Sequence, residues 1–425
     1  MNIRSHPLFA TLRDLKGNPR ACVYTEPLWG IPYNLYIPYA SLYMLALGLD
    51  DAKIGLLASI GMAFQVIFAM LSGAITDKFG RKRTTFFADL LCWSVPCLLW
   101  AVSQNFYFFL VAAVFNSLWR ISANSWTCLL VEDAEPDQMV NIYAWIYISG
   151  LLAAFFSPLA GLLVGRFSLV PTVRALYLFS FVMMTAKFVV MNHFVTETRQ
   201  GQIRLAETHT QPLRSLLGGY RDVFAQLLRT PRTLVTLGIM LVMSITALLS
   251  GTFWSILVTE RLGIPAQVIV LFPFAKSAMM LAFFFFVLPR IGTKRFLAPM
   301  VFGFVCYLAG QLLLIGIPTA LPLAWVITAL TGAALLEACA AALVGPFVDS
   351  LVAATIDPAE RARIQAILYV IVILLTSPFG WIGGQLSSVN RILPFVLNLA
   401  LFAAGGVLAV LAARLAKAAP EAGAA

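Results

Sequence analysis

The sequence predicts an all-α membrane protein with twelve transmembrane helices in two parallel-repeat six-helix bundles. Three observations predict it: the apolarity of the whole chain, a series of helix-length hydrophobic stretches, and a duplication relating the two halves. Of 425 residues, 60% are hydrophobic and 11% charged, and the mean hydropathy is +0.88. A soluble domain carries roughly 45–50% apolar and about 25% charged residues. Most of this surface therefore has lipid, not water, as its solvent. A helix in hydrocarbon satisfies its own backbone polar groups, which an open strand cannot.

A bilayer-spanning helix needs roughly 20 mainly apolar residues. Twelve stretches meet that length: 26–47, 54–76, 84–103, 106–131, 140–165, 172–194, 233–258, 266–288, 296–317, 322–350, 364–386 and 392–413. They are too long and too uniformly apolar for barrel strands. The formal net charge is +10. With the N-terminus inside, twenty-one Lys and Arg fall on the inner side and five on the outer: Lys53, Arg166, Arg174, Arg261 and Arg391. That positive-inside bias reads topology, so no nucleic-acid partner is expected, and both termini are expected in the cytoplasm. Residues 1–22 are polar and basic, without the apolar core of a signal peptide. None of the six cysteines falls in an outer loop, so structural disulfides are not expected. The short outer loops and the absence of an N-x-S/T acceptor point to a bacterial inner membrane.

The expected organisation is an amphipathic N-terminal segment (1–22), a first six-helix bundle (23–195), a cytoplasmic linker (196–232), a second bundle (233–415) and a tail (416–425). In the linker, Leu213, Leu216, Leu217, Tyr220, Val223, Phe224, Leu227 and Leu228 recur at helical spacing, between Arg214, Arg221 and Arg229. That pattern predicts a helix lying on the inner membrane surface. Residues 7–16 repeat it on a smaller scale. Four pairs carry the duplication: Asn18-Pro19-Arg20 with Thr230-Pro231-Arg232, Gly80-Arg81-Lys82-Arg83 with Gly292-Thr293-Lys294-Arg295, Glu135-Pro136 with Asp357-Pro358, and Ser157-Pro158 with Ser377-Pro378. Their offsets are nearly constant, from 212 to 222 residues. Parallel repeats of this kind are a transporter architecture with a midplane site between halves. Pro158 and Pro378, in the fifth span of each half, are candidate gating kinks.

The segment between the second and third spans reads Gly73-Ala-Ile-Thr-Asp77-Lys78-Phe-Gly80-Arg81-Lys82-Arg83. Gly73 is expected to let the second span approach a neighbour closely. Asp77 stands where that helix ends, and Gly80 permits a tight turn. The next inner loop holds Glu132, Asp133, Glu135 and Asp137 and no basic residue. An acidic inner loop runs against the topology rule, so we expect Arg81 and Arg83 to pair with Glu132 and Asp133 as an inner gate. The segment closely resembles the signature of the major facilitator superfamily, with Ile75 in place of the usual Leu and Lys78 in place of the usual Arg. The resemblance implies the twelve-helix transporter fold and a similar latch. The second copy is degenerate, with Pro289 where Asp77 would fall.

A charge in mid-span costs about 2.5–3.5 kcal/mol on the insertion scale, which makes it a functional candidate. Arg120, Lys276 and Glu337 sit midway along the fourth, eighth and tenth spans. Lys187 lies nearer an inner end and reads as a snorkelling side chain; Asp89 and Asp349 read as solvated at helix ends. Asn116, Arg120, Asn124 and Thr127 form one polar stripe, expected to face a water-filled cavity. The repeat offset places Glu337 near the position equivalent to Arg120, so the two are expected to mark a substrate or proton pathway, with Glu337 the coupling carboxylate. Resemblance to proton-coupled exporters also matches Arg120 loosely. In the fifth span those exporters carry a glycine-rich pattern of which Gly150, Pro158 and Gly161 remain. Tyr36, Tyr147 and Trp254 are aromatic candidates for the same pathway.

No metal spacing, nucleophile elbow or Walker-type loop occurs, so no catalytic residues, metal or cofactor are expected and the chain is not read as an enzyme. The expected function is proton-coupled secondary export of a small amphipathic organic compound by alternating access. The alternatives are a proton-coupled importer of a sugar, organic acid or peptide, and a membrane sensor without transport. The expected partners are a small-molecule substrate, protons and membrane lipids, with the protein a monomer.

Overall fold

The computed structural model describes residues 7–135, 138–208, 231–287, 290, 297–355 and 361–417. Every regular element among them is helical. The linker pattern over 213–228, the second-copy segment 289–295 apart from Arg290, the Asp357-Pro358 pair, the Asp349 side chain and the tail from 418 lie outside the described residues. The chain divides into two compact units: Met1–Leu49 with Ile60–Gly218, and Asp50–Ser59 with Gly219–Ala425.

The first unit opens with α1 (Pro7–Asp14) and α2 (Gly17–Thr25), followed by α3 (Pro27–Tyr36), a 3₁₀ turn at Ile37–Tyr39 and α4 (Ala40–Ala46). Next come α5 (Asp51–Phe79) and α6 (Arg81–Asp89), which passes through a π-helical turn at Leu90–Ser94 into α7 (Val95–Ala101). Then follow α8 (Phe106–Ser117), α9 (Trp119–Val131), α10 (Met139–Ala153), a 3₁₀ turn at Ala154–Phe156, α11 (Ser157–Phe167), α12 (Leu169–Phe194) and α13 (Arg199–Thr208). Eleven helical runs in the described chain are long and apolar enough to cross a membrane. The remaining predicted stretch, 26–47, is helical too, but Pro38 interrupts it. Proline has no N–H to donate and its ring crowds the preceding turn, so α3 and α4 are each short. Pro158 likewise stands in the first turn of α11, where a missing N–H is tolerated.

The second unit holds α14 (Pro231–Ile256) with a π turn at Leu257–Arg261, then a 3₁₀ turn at Ala266–Val268 and α15 (Leu271–Ala282) with a π turn at Phe283–Val287. It continues with α16 (Leu297–Ile315), α17 (Leu323–Thr355), α18 (Arg361–Thr376), α19 (Pro378–Val389) and α20 (Leu393–Lys417). Lipid tails are as apolar as leucine, so helices in a bilayer associate through close packing at small residues. Gly303 shows it: a Cβ there would stand 2.6 Å from the Val344 side chain. The core of this unit runs through Ile239, Met300, Phe304, Val344, Leu368 and Phe402. In the first unit, Leu15, Cys22, Leu129, Ile142 and Met191 form a core cluster that Leu12 of α1 packs against. Amphipathic α1 thus rests on its own unit, and Thr11 bonds Asn141 of α10 at 2.9 Å.

Candidate transport site

The junction of α5 and α6 gathers charge around Arg81. Its Nη1 lies 2.9 Å from Asp77 Oδ1, one helical turn back, and its Nε lies 3.1 Å from Glu132 Oε2 just beyond α9. The Arg81 side chain is only 5% exposed. Arg83, by contrast, is exposed and makes no ion pair among the described residues. Asp133 does not meet Arg83: it accepts from the Asn18 amide (3.2 Å) and from the backbone N–H of Arg199. The expected four-residue gate is thus centred on Arg81 alone, with Asp77 and Glu132 as its carboxylates.

Two residues absent from the sequence reading complete this cluster. The Glu197 carboxylate accepts the backbone N–H groups of Arg81 (2.9 Å) and Lys82 (3.1 Å), and the Thr198 hydroxyl donates to Glu132. The first N–H groups of a helix have no intrahelical acceptor, and its N-terminus attracts negative charge; Glu197 meets both needs for α6. Gly80 is required twice over. Its φ of +83° favours glycine, and a Cβ there would stand 3.2 Å from Glu197 Cδ. Gly73 differs from expectation: a Cβ added to it would meet nothing within 4 Å. Its place as a close-packing glycine of α5 is taken by Gly55, whose Cβ would come within 2.7 Å of Gly384 Cα in the second unit's share of the helix.

The half-buried polar stripe of the fourth span has protein partners along its length. Asn116 donates to the Cys92 carbonyl inside the first π turn (2.9 Å), Arg120 Nε to Gln65 of α5 (3.0 Å), and Asn124 to Thr76 of α5 (3.2 Å). Arg120 also lies over the Trp119 ring, 4.0 Å from its centroid. A second face of α9, with Trp119, Ser122, Ala123 and Trp126 at i, i+3, i+4 and i+7, lines a cavity of about 160 Å³.

That cavity holds three further buried charges of the first unit. Lys187 of α12 places Nζ 2.8 Å from Glu26 Oε2, ahead of α3. Lys187 is 5% exposed, Asp89 at the end of α6 is 4% exposed, and Glu26 is 8% exposed. The expected snorkelling of Lys187 and solvation of Asp89 are therefore both corrected. Asp89 accepts a hydrogen bond from the Ser122 hydroxyl. Among the described residues, no Lys, Arg or His nitrogen lies within 4.0 Å of it. Trp29 and Trp93 complete the wall. Tyr36 belongs to an aromatic column that continues from here: Trp29 stacks on Tyr33 (4.7 Å), Tyr33 meets Tyr36 (5.6 Å), and Tyr36 meets Tyr177 (4.9 Å). At 2% exposure Tyr36 is packed, while Tyr147 of α10 is 41% exposed.

In the second unit, Lys276 Nζ of α15 lies 3.5 Å from Glu337 Oε2 of α17. Glu337 thus has a cation of its own unit, and Arg120 has Gln65. Trp254 packs edge-on against Phe272 at 5.5 Å. The span containing Pro378 is interrupted at Ser377, between α18 and α19. Asp51, at 5% exposure, accepts from the Ser387 hydroxyl (2.6 Å) and from Arg391 (3.3 Å), and Arg391 reaches Glu260 at 3.4 Å.

Comparison with known proteins identifies the family and the fold. The sequence profile of the Major Facilitator Superfamily matches residues 30–371. No curated protein sequence matches the chain. Among solved structures, the nucleoside transporter NupG is similar at TM-score 0.67 and 16% identity, covering 95% of this chain and 100% of that one. The human organic anion transporter MFSD10 (TETRAN) is similar at TM-score 0.65 and 16% identity, covering 95% and 100%. A POT family transporter in complex with 5-aminolevulinic acid is similar at TM-score 0.67 and 15% identity, covering 96% and 99%. Taken with the multi-pass helical architecture and the Asp77–Arg81 junction, the match over most of its length makes this chain a member of the major facilitator superfamily, a membrane transporter and not an enzyme.

Proposed function

We propose that the protein is a proton-coupled secondary transporter that exports a small amphipathic organic compound by alternating access, from a bacterial inner membrane with both termini in the cytoplasm. The observation that carries this reading is Asp89. It is a buried carboxylate within an apolar helical unit, and no cation is in ion-pair reach among the described residues. A buried charge left unpaired is costly, so such a group takes a proton or a cationic partner. That choice is what coupling requires. Glu337 is the second candidate carboxylate, with Lys276 as the cation that competes with its proton. The Arg81 cluster serves as the cytoplasmic latch in this reading, and the broken helices at Pro158 and Pro378 as bending points.

The test uses inside-out vesicles with an acidic lumen and a lumenal pH dye. Export by antiport predicts that added substrate alkalinises the lumen. Acidification on substrate addition would establish import by symport, and accumulation indifferent to the proton gradient would remove coupling altogether.

A further inference from the structure

The cavity around Asp89 and Lys187 has a composition that selects a ligand. Its wall contains two carboxylates, Glu26 and Asp89, and one ammonium, Lys187. With all three ionised, the wall is one positive charge short. Lys187 is committed to Glu26 at 2.8 Å, so the missing charge is missing at Asp89. The other charge nearby, Arg120, is not part of the wall and donates to Gln65.

Four indoles, Trp29, Trp93, Trp119 and Trp126, dominate the remaining wall, with Ser122, Ala123 and Phe188 between them. Indole faces attract an ammonium within about 6 Å of the ring centroid. The protein demonstrates this with its own side chain, since Lys187 Nζ lies 5.8 Å from the Trp29 ring and 5.6 Å from the Trp126 ring. Trp93 carries no cation over its face among the described residues. A separate observation concerns hydrogen bonding. The indole N–H groups of Trp29 and Trp126 are buried and have no acceptor among the described residues. Buried donors are satisfied in the great majority of cases, by protein or by ordered water. A hydroxyl or water oxygen in the cavity meets that need. The volume, about 160 Å³, compares with a cavity of roughly 150 Å³ that takes up benzene.

We propose that this cavity binds a small monovalent organic cation, an alkylammonium or hydroxyalkylammonium of about seven non-hydrogen atoms or fewer. Its charge is set against Asp89, its alkyl surface against the indoles. An anion would add to the wall's excess negative charge, and a neutral solute would leave Asp89 uncompensated. The proposal rests on the transporter reading above and names its substrate class. A cation and a proton neutralise the same carboxylate, so each excludes the other, which is the relation an exchanger needs. The titratable groups around Asp89 are Lys187 on α12, Glu26 ahead of α3, Cys22 on α2 and Cys92 in the π turn.

The full chain, purified in detergent, is titrated with choline and with its uncharged isostere 3,3-dimethylbutan-1-ol, reading tryptophan fluorescence and melting temperature. Choline is expected to shift the fluorescence saturably and raise the melting temperature; the isostere is expected to do neither. Asp89→Asn should weaken the choline response at least tenfold, and Trp93→Leu, which keeps every charge, should weaken it several-fold. Equal responses to choline and the isostere, or full choline binding by both variants, overturn the proposal. Cation binding that persists while vesicle transport ignores the proton gradient overturns the coupling reading and leaves the site. Coupled transport of another solute without cation binding does the reverse.

Discussion

The Lys187 ammonium stands 2.8 Å from the Glu26 carboxylate, with 6% and 11% of the two side chains accessible. Removing one partner of a buried pair costs about 3–5 kcal/mol, because the other charge stays behind, whereas replacing both by neutral groups is often far milder. Lys187→Met should therefore lower the melting temperature of the purified protein more than the Glu26→Gln/Lys187→Met double variant does. A double variant as unstable as the sum of the singles would show that the two side chains do not act as a pair.

At the α5–α6 junction, Asp77→Asn should slow transport by several-fold while leaving membrane insertion and yield unchanged, since it removes one of Arg81's two carboxylates and no apolar surface. Initial rates in vesicles, set against protein amount, check this. Unchanged turnover would reduce the cluster to a topology anchor.

Glu197→Ala should destabilise the start of α6. Two N–H groups lose their acceptor, a loss on the order of 1 kcal/mol by comparison with helix caps. Gly80→Ala should act in the same direction through both the left-handed backbone and the Glu197 contact. Hydrogen exchange confined to residues 80–85 is the measurement. Exchange unaltered there in both variants would contradict the capping role.

Glycine packing in the second unit gives a steric prediction. A Cβ on Gly384 would stand 2.8 Å from the Asp51 carbonyl oxygen, and one on Gly380 would stand 2.8 Å from the Ser59 backbone nitrogen. Backbone cannot swing aside as a side chain can, and overpacking costs about 1–3 kcal/mol. Gly384→Val should therefore lower the melting temperature clearly, whereas Gly73→Ala, with open space around it, should leave it within experimental error.

Glu337→Gln tests the second carboxylate. If Glu337 carries the coupling proton, the variant loses uphill movement of substrate but keeps downhill exchange. Uphill transport retained at the native rate would assign coupling elsewhere, with Asp89→Asn as the matching experiment in the first unit.

Much of the fold was legible because bilayer thickness sets a length that sequence displays directly. Pro158 announced where a helix breaks, whereas Pro38 stood unread inside the stretch 26–47; Arg81 and Glu132 announced a cluster because charges of opposite sign sat at adjacent helix ends. Glu26, Asp89 and Lys187 were not legible as a site. Glu26 carried no signal of its own, and Asp89 and Lys187 lie toward helix ends, where position along a single helix implies water. Their burial comes from segments 161 residues apart in sequence meeting side by side, as the Glu26–Lys187 bond shows, and no periodicity within one helix encodes that. The stripe through Asn116 and Arg120 illustrates the opposite limit. Polarity at helical spacing reports that a face needs partners, without saying whether the partners are water or the side chains of α5. Glu197 escaped notice because its partners are backbone N–H groups, which leave no mark in a sequence.

The 3₁₀ turn at Ile37–Tyr39 bears on the energy of the state itself. The hydroxyls of Tyr36 and Tyr39 on either side of Pro38 are buried and have no protein partner among the described residues. A buried hydroxyl without a partner costs about 1–3 kcal/mol, and phenylalanine would fill the same space without that cost. An arrangement that offers those two oxygens an acceptor or a water gains that amount at each, which makes the two hydroxyls costly polar groups of the first span.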